Sequence, residues 1–369
     1  MKPHGIGCVF IVGAGFSSYA GLPLQKDFTK ALLEAIHYKE TAPSKLIVEY
    51  LSVFIQKVFG AHETAGAREW PELEDIFTNI DLPANTGHYL GADYSPTKLR
   101  TLRRALIARI IRMLRSRYEQ ARRDRGDNWR RLENVFGSID LASSAFISMN
   151  WDTVVEEGIS AADPELGIDY GCDSVFATFP KNGRKIKIPV AEPRRMVPVV
   201  KIHGSTNWLY CDNCRSVFAF PAGQTIEIAK QLLSKEDWGR IDPEHSHAYG
   251  QWRCVRCPRV PLSTRLATFS YLKALDFPMF QKSWSSAAGV LQGARTWVFI
   301  GYSLPPADYE FKHLLKRVQL SHKDGPRLIL ITGGDNRSRT EHNYRRFFGT
   351  VKVFSNGISD DAVSFLRGT

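Results

Sequence analysis

Six apolar runs rich in Val, Ile and Phe punctuate the chain, and each closes on turn residues. They are VFIVG at 9–13, AFISMN at 145–150, VPVVKIHG at 197–204, TWVFIG at 296–301, RLILIT at 327–332 and VKVFS at 351–355. Strands that are continuously apolar, rather than alternating, are buried on both faces; separated by helical patterns, they form a parallel sheet covered on both sides. The pattern predicts an α/β fold with a doubly wound, Rossmann-like parallel sheet. Helices are expected at about 25–37 and 153–158, after the first two strands.

The core is interrupted twice. Over 46–135 the pattern is helical, with Leu102, Leu106, Ile110, Met113 or Leu114, and Tyr118 recurring every three to four residues and Arg on the other face. Over 211–260 the periodicity is lost. The expected division is a nucleotide-binding core of 1–45, 136–210 and 261–369, a helical insertion at 46–135 with an Arg-rich helix, and a small module at 211–260. No internal repeat and no low-complexity tract is present.

Composition narrows this picture. With 369 residues and 43 % hydrophobic content the chain can bury a sizeable core. No run approaches the ~18 apolar residues of a membrane-spanning helix. The first apolar run is broken by Gly13, Gly15, Ser17 and Ser18 and lacks a cleavage site, so a cytoplasmic location without membrane attachment is expected. The formal charge of +11 suggests nucleic acid until it is located. Residues 97–131 carry thirteen Lys and Arg against three acids, which leaves +1 for the rest. A solvated face or an assembly surface is the preferred reading of such a helix, and nucleic-acid contact the alternative.

Four of the six cysteines form two C-x-x-C pairs, Cys211/Cys214 and Cys254/Cys257. Four thiolates in two knuckles suit a tetrahedral structural zinc with no open position, although the 39 residues between the pairs exceed the common loop length. Cys8 and Cys172 are expected to be buried free thiols. At the first strand exit, Gly13-Ala14-Gly15-Phe16-Ser17 suits close backbone approach to a pyrophosphate, or a structural turn. The third glycine and the acidic partner of the hydride-transfer fingerprint are absent. Asn150 and Asp152 close the second run, where polar groups line the ligand crevice of an open sheet or cap the next helix. His203 follows the third run and precedes Gly204, a position fit for a general base or for a hydrogen-bonded structural residue. Gly301 and Ser303, and then Asp335 and Asn336, end two further strands.

In this order the motifs resemble the sirtuin family. The family pattern G-A-G-x-S-x-x-[SA]-G-[IL]-P matches Gly13 to Pro23, Q-N-x-D matches at Asn150 and Asp152, H-G matches His203 and Gly204, and the knuckles follow that His. Gly301-Tyr302-Ser303-Leu304 resembles G-T-S-L. The resemblance implies NAD as substrate and cleavage of its nicotinamide–ribose bond. It implies His203 as general base, Asn150 orienting ribose or water, and Asp152 positioning the nicotinamide end or the ribose. Gly13, Ala14, Gly15 and Ser17 would hold phosphates, and Gly301, Ser303, Asp335 and Asn336 the adenosine half. Protein-deacylating members continue G-I-P-D-F-R, whereas Gly21-Leu22-Pro23-Leu24-Gln25-Lys26 stands here, and Met149 and Trp151 replace the Gln and the Ile around Asn150. These departures are more like the sirtuin-like NAD hydrolases of prokaryotic anti-phage systems. That kinship implies a homo-oligomer or a partner such as a HerA-type ATPase. The alternatives are an NAD-dependent protein deacylase or ADP-ribosyl transferase, and a nucleic-acid-binding assembly protein.

Overall fold

The computed structural model describes residues 5–36, 40–60, 70–180, 185–189, 195–244, 250–267 and 278–368. Its strands are β1 (Cys8–Val12), β2 (Ser144–Ser148), β3 (Leu166–Asp169), β4 (Val175–Phe176), β5 (Arg195–Lys201), β6 (Trp208–Tyr210), β7 (Val217–Ala219), β8 (Thr296–Ile300), β9 (Arg327–Ile331) and β10 (Lys352–Phe354). The helices up to the second strand are α1 (Ala14–Ser17), α2 (Gln25–Leu33), α3 (Ala42–Phe59), α4 (Leu73–Thr86), α5 (Pro96–Asp124) and α6 (Asp127–Phe136). Those beyond it are α7 (Val154–Ala162), α8 (Thr225–Gln231), α9 (Lys235–Ile241), α10 (Pro278–Gly293), α11 (Tyr309–Ser321), α12 (Arg337–Phe348) and α13 (Asp360–Leu366).

Every predicted strand is present, and the pleat explains why the runs are continuously apolar. On β1, Phe10 and Val12 face a core built with α2 to α7 and α13, while Val9 and Ile11 face a second core built with α10, α11 and α12. The large sheet runs β10-β9-β8-β1-β2-β5-β3, with all neighbours parallel. On one side of β1 the chain lays down β2, then the edge strand β3, then β5 between those two; it then crosses to β8, β9 and β10 on the other side. Winding therefore reverses between β1 and β8, the switch point at which open α/β sheets bind ligands beyond their carboxyl ends. The seventh strand, β3, is not predicted, because LGID is short, half polar and at the edge.

The Arg-rich helix corrects one expectation. Arginine was expected on a solvated face, yet α5 packs against α2, α3, α4, α8 and α9 and is buried nearly all round. Ser95 caps it, accepting from Lys98 N–H at 3.3 Å, and Pro96 opens its first turn. Arg109 is fully buried: its guanidinium donates to Leu32 O at 2.8 Å and to Glu34 O, and meets Glu40 and Ser44. Those two carbonyls belong to the end of α2, so the guanidinium terminates that helix at Leu33. The sequence pattern carries it to His37, which lies outside the described residues. Arg103, Arg104 and Arg115 likewise pair with Asp81, Asp237 and Glu157.

A second sheet, β4-β7-β6, stands apart from the first. Its antiparallel β6–β7 turn carries Cys211 and Cys214. The stretch without periodicity holds α8 and α9, each of seven residues and too short for a helical repeat to register. No described helix is long and apolar enough to cross a membrane.

Candidate active site

All five predicted strand-end motifs lie at the carboxyl edge of the large sheet, after β1, β2, β5, β8 and β9. The glycines have a local cause. Gly13 N–H donates to Ile300 O at 3.1 Å and Gly15 N–H to Gly301 O at 2.9 Å. A side chain on Gly13 would stand 2.7 Å from Gly301 O, and one on Gly301, whose φ is +61°, would stand 2.2 Å from Phe16 N. Two turns from either side of the switch point are thus in backbone contact. These N–H groups point inward rather than toward a ligand, so bare glycine serves close approach.

From this turn Ser17, almost fully buried, accepts a 2.8 Å hydrogen bond from Asn150 Nδ2. Asn150 is half-buried at the turn after β2. His203 is buried, and its Nδ1 meets Met149 O at 3.1 Å. A carbonyl only accepts, so Nδ1 carries the proton and Nε2 is the basic nitrogen of the neutral ring. The structure therefore brings Ser17, Asn150 and His203 to one turn. Gly204, with φ +81°, lets the chain bend immediately after the histidine, where a Cβ would meet Arg265 O at 2.8 Å.

The other site residues lie apart from that contact set. Asp152, one position before the N-cap Thr153, accepts from Val154 N–H, the first of α7, at 3.0 Å through Oδ1, and lines a small cavity with Arg115, Tyr118 and Glu157. Burial pushes the Glu157 carboxyl and the Tyr118 hydroxyl up, against the Arg115 guanidinium that pairs with Glu157 at 2.5 Å. Ser303, Asp335 and Asn336 are exposed, and Asn336 opens α12 without a side-chain cap. Tyr302, where the family pattern has Thr, is buried and donates to Asp308 Oδ2 at 2.9 Å.

One buried charged group beside the site escapes motif reading. Lys201, fully buried at the end of β5, donates to Asp152 O and lies 3.4 Å from Glu156 Oε1 of α7. Burial pushes the Glu156 carboxyl up, and the Lys201 ammonium works against that. A signal was available: a lysine ends a run whose preceding residues 196–200 are apolar, two positions before His203.

The four knuckle thiols do meet. Cys211, Cys214, Cys254 and Cys257 have sulfur atoms all within 4.8 Å of one another, and Cys214 and Cys254 are 3.6 Å apart. Zn–S bonds of about 2.3 Å in a tetrahedron separate sulfurs by roughly 3.8 Å, so the set fits zinc. Asn213 Nδ2 donates to Cys257 Sγ at 3.1 Å, an outer contact of the kind that fixes metal ligands. Cys8 and Cys172 are buried free thiols, and burial pushes each up to about 12.

No protein-family model matches the chain, and no curated protein matches it. Among solved structures, Sir2Tm bound to a propionylated peptide aligns over 99 % of this chain and 93 % of its own, at 11 % identity and TM-score 0.36. A sirtuin structure on the basis of substrate affinity aligns over 98 % and 93 %, at 15 % identity and TM-score 0.36. A Sir2 homologue mutant in complex with ADP ribose aligns over 99 % and 92 %, at 12 % identity and TM-score 0.36. The fold assignment itself rests on strand order, the switch point and the cysteine cluster in this chain.

Proposed function

We propose that the protein is an NAD glycohydrolase that converts NAD and water to nicotinamide and ADP-ribose, acting as an NAD-depleting anti-phage effector. The observation that carries this reading is the convergence of Ser17, Asn150 and His203 on one turn beside the switch point. In the reaction the bond between ribose C1′ and the nicotinamide nitrogen breaks, and its electron pair leaves with nicotinamide. Positive charge develops on the ribose, water adds to C1′, and the proton of that water passes to a base. His203 Nε2 is that base, and Asn150 orients the ribose or the water. The turn of Gly13, Ala14 and Gly15, packed by its glycines against Gly301, borders the diphosphate, with Ser17 at its inner end. Gly301, Ser303, Asp335 and Asn336 border the adenosine half. Asp152 acts near the nicotinamide end, from the turn that it braces through Val154 N–H. Control through a homo-oligomer or a partner ATPase of the HerA type belongs to the same proposal.

The test is to incubate purified protein with NAD and follow nicotinamide and ADP-ribose. Asn150→Ala and His203→Ala should each lower turnover by about 100-fold or more, with folding intact by circular dichroism. Turnover that survives in both variants removes the site assignment. Turnover that requires an acylated peptide, or that labels a protein with ADP-ribose, replaces the hydrolase reading by the deacylase or transferase one.

A further inference from the structure

We infer that Lys201 is a positioning residue whose ammonium, paired with Glu156, holds the 149–153 turn and so sets where Asn150 and His203 stand. What the turn does in catalysis rests on the NAD-cleaving reading; what holds the turn does not.

The residues leaving β5 take hold of three backbone carbonyls in this turn. His203 Nδ1 donates to Met149 O at 3.1 Å. Thr206 donates to Trp151 O through N–H at 2.9 Å and through Oγ1 at 3.0 Å. Lys201 Nζ donates to Asp152 O. The first two grips are neutral hydrogen bonds. The third comes from a fully buried ammonium, which is costly to desolvate and persists only with a partner. Glu156, at 3.4 Å in the first turn of α7, is that partner.

The geometry places this pair beneath both candidate catalytic segments. Lys201 stands two residues before His203, on the strand that delivers the histidine. Glu156 belongs to α7, whose first N–H donates to Asp152 Oδ1 and which begins four residues after Asn150. A shift of the ammonium therefore moves both ends of the site. Charge also matters, because breaking the glycosidic bond builds positive charge on the ribose. A lone ammonium below the site would oppose that charge. Paired with a carboxylate, it supplies a strong donor without net charge.

Lys201→Met alone leaves Glu156 buried and unpaired, so it is expected to fold poorly. The informative protein is Lys201→Met/Glu156→Leu, which replaces the pair by apolar side chains. Three quantities are compared with wild type: the thermal midpoint, amide hydrogen exchange of peptides over 149–154, and the kcat and KM for NAD. The double variant should melt close to wild type while its turn exchanges about tenfold faster or more. Its kcat should fall by roughly 10- to 100-fold with KM nearly unchanged, as for a misplaced rather than a missing group.

Wild-type protection of 149–154 in a folded double variant overturns the inference, whatever happens to turnover. A loosened turn with wild-type kcat overturns the link to catalysis. If wild-type protein cleaves no NAD, the hydrolase reading fails by itself, and the exchange comparison still decides whether Lys201 holds the turn.

Discussion

At the scale of single residues, Gly301 makes the sharpest physical demand. Its φ is +61°, and a side chain there would sit 2.2 Å from Phe16 N and 2.3 Å from Gly15 C, both of them backbone atoms that cannot swing aside. Gly301→Ala should therefore destabilise the protein by roughly 2–4 kcal/mol, combining the cost of a left-handed alanine with overpacking. Gly239→Ala is the control. It lies inside α9 with nothing within 4 Å of the added carbon, and it should be neutral or stabilise by up to about 1 kcal/mol. Guanidinium unfolding midpoints at constant m-value read both. A glycine needed only for a ligand's approach would give Gly301→Ala the stability of wild type, and that result would sink the packing account. The same residues show how far a sequence reaches. The loop over 13–23 is legible as a turn that needs glycine, but its partner, another glycine nearly 290 positions later, is not. That pairing follows from strand order, which local periodicity does not encode.

At the scale of elements, α5 shows why a charge count misleads. Its arginines are legible in the sequence as a basic stripe, and a helix alone would present them to water. The acids that receive them come from distant segments, and Asp237 is the clearest case. It lies in α9, is almost fully buried, accepts two hydrogen bonds from Arg104 at 2.7 and 2.8 Å and one from Thr101 at 2.6 Å, and completes a capping box with Ser234. Burial pushes its carboxyl up, but the bonds from Arg104, Thr101 and Ser234 N–H outweigh that and hold it below the ordinary value of 3.8. The sign follows from proton counting. Between the depressed native value and 3.8 the unfolded chain binds more protons, so stability present above 3.8 is lost as pH falls through that window. Asp237→Asn should cost about 1–2 kcal/mol at pH 7, where it weakens three hydrogen bonds to a buried carboxylate while the partly exposed Arg104 keeps water. The gap to wild type should narrow as pH drops below about 4. Denaturant unfolding of both proteins from pH 7 down to pH 3.5 measures it, and a gap independent of pH would assign the loss to packing rather than charge.

At the scale of the whole molecule, the six long apolar runs made the parallel sheet legible. The β3 edge and the small β4-β7-β6 sheet were not: their strands span two to four residues, too short for a period to register, and the equally short β10 was legible only through the apolar run 351–355 that holds it. The two knuckles were legible as a metal site from spacing alone, yet spacing could not say what the site joins. The first knuckle sits in the β6–β7 turn, and the second is tied to the same sheet through the Tyr210–Ser263 bridge. Between them the chain carries α8 and α9 onto α5. Four-thiolate zinc therefore closes a loop of about forty residues, and the entropy of such a closure is worth on the order of 4 kcal/mol. Purified protein should carry one zinc per chain, and a strong chelator should strip it with a clear fall in thermal midpoint. Hydrogen exchange then locates the loss. Peptides over 208–219 and 250–263 should open first, while those of β1, β8 and β9 stay protected, because the seven-stranded sheet shares no strand with the small one. From β6 and β7 the loosening should pass to the His203 turn through Asn207, which exchanges backbone and side-chain hydrogen bonds with Phe220. Uniform opening of both sheets on chelation would mean that the metal supports the whole fold. No opening at all would mean that the thiols need no metal to stay together. Sequential opening, small sheet first and His203 turn second, is what the arrangement of the two sheets requires.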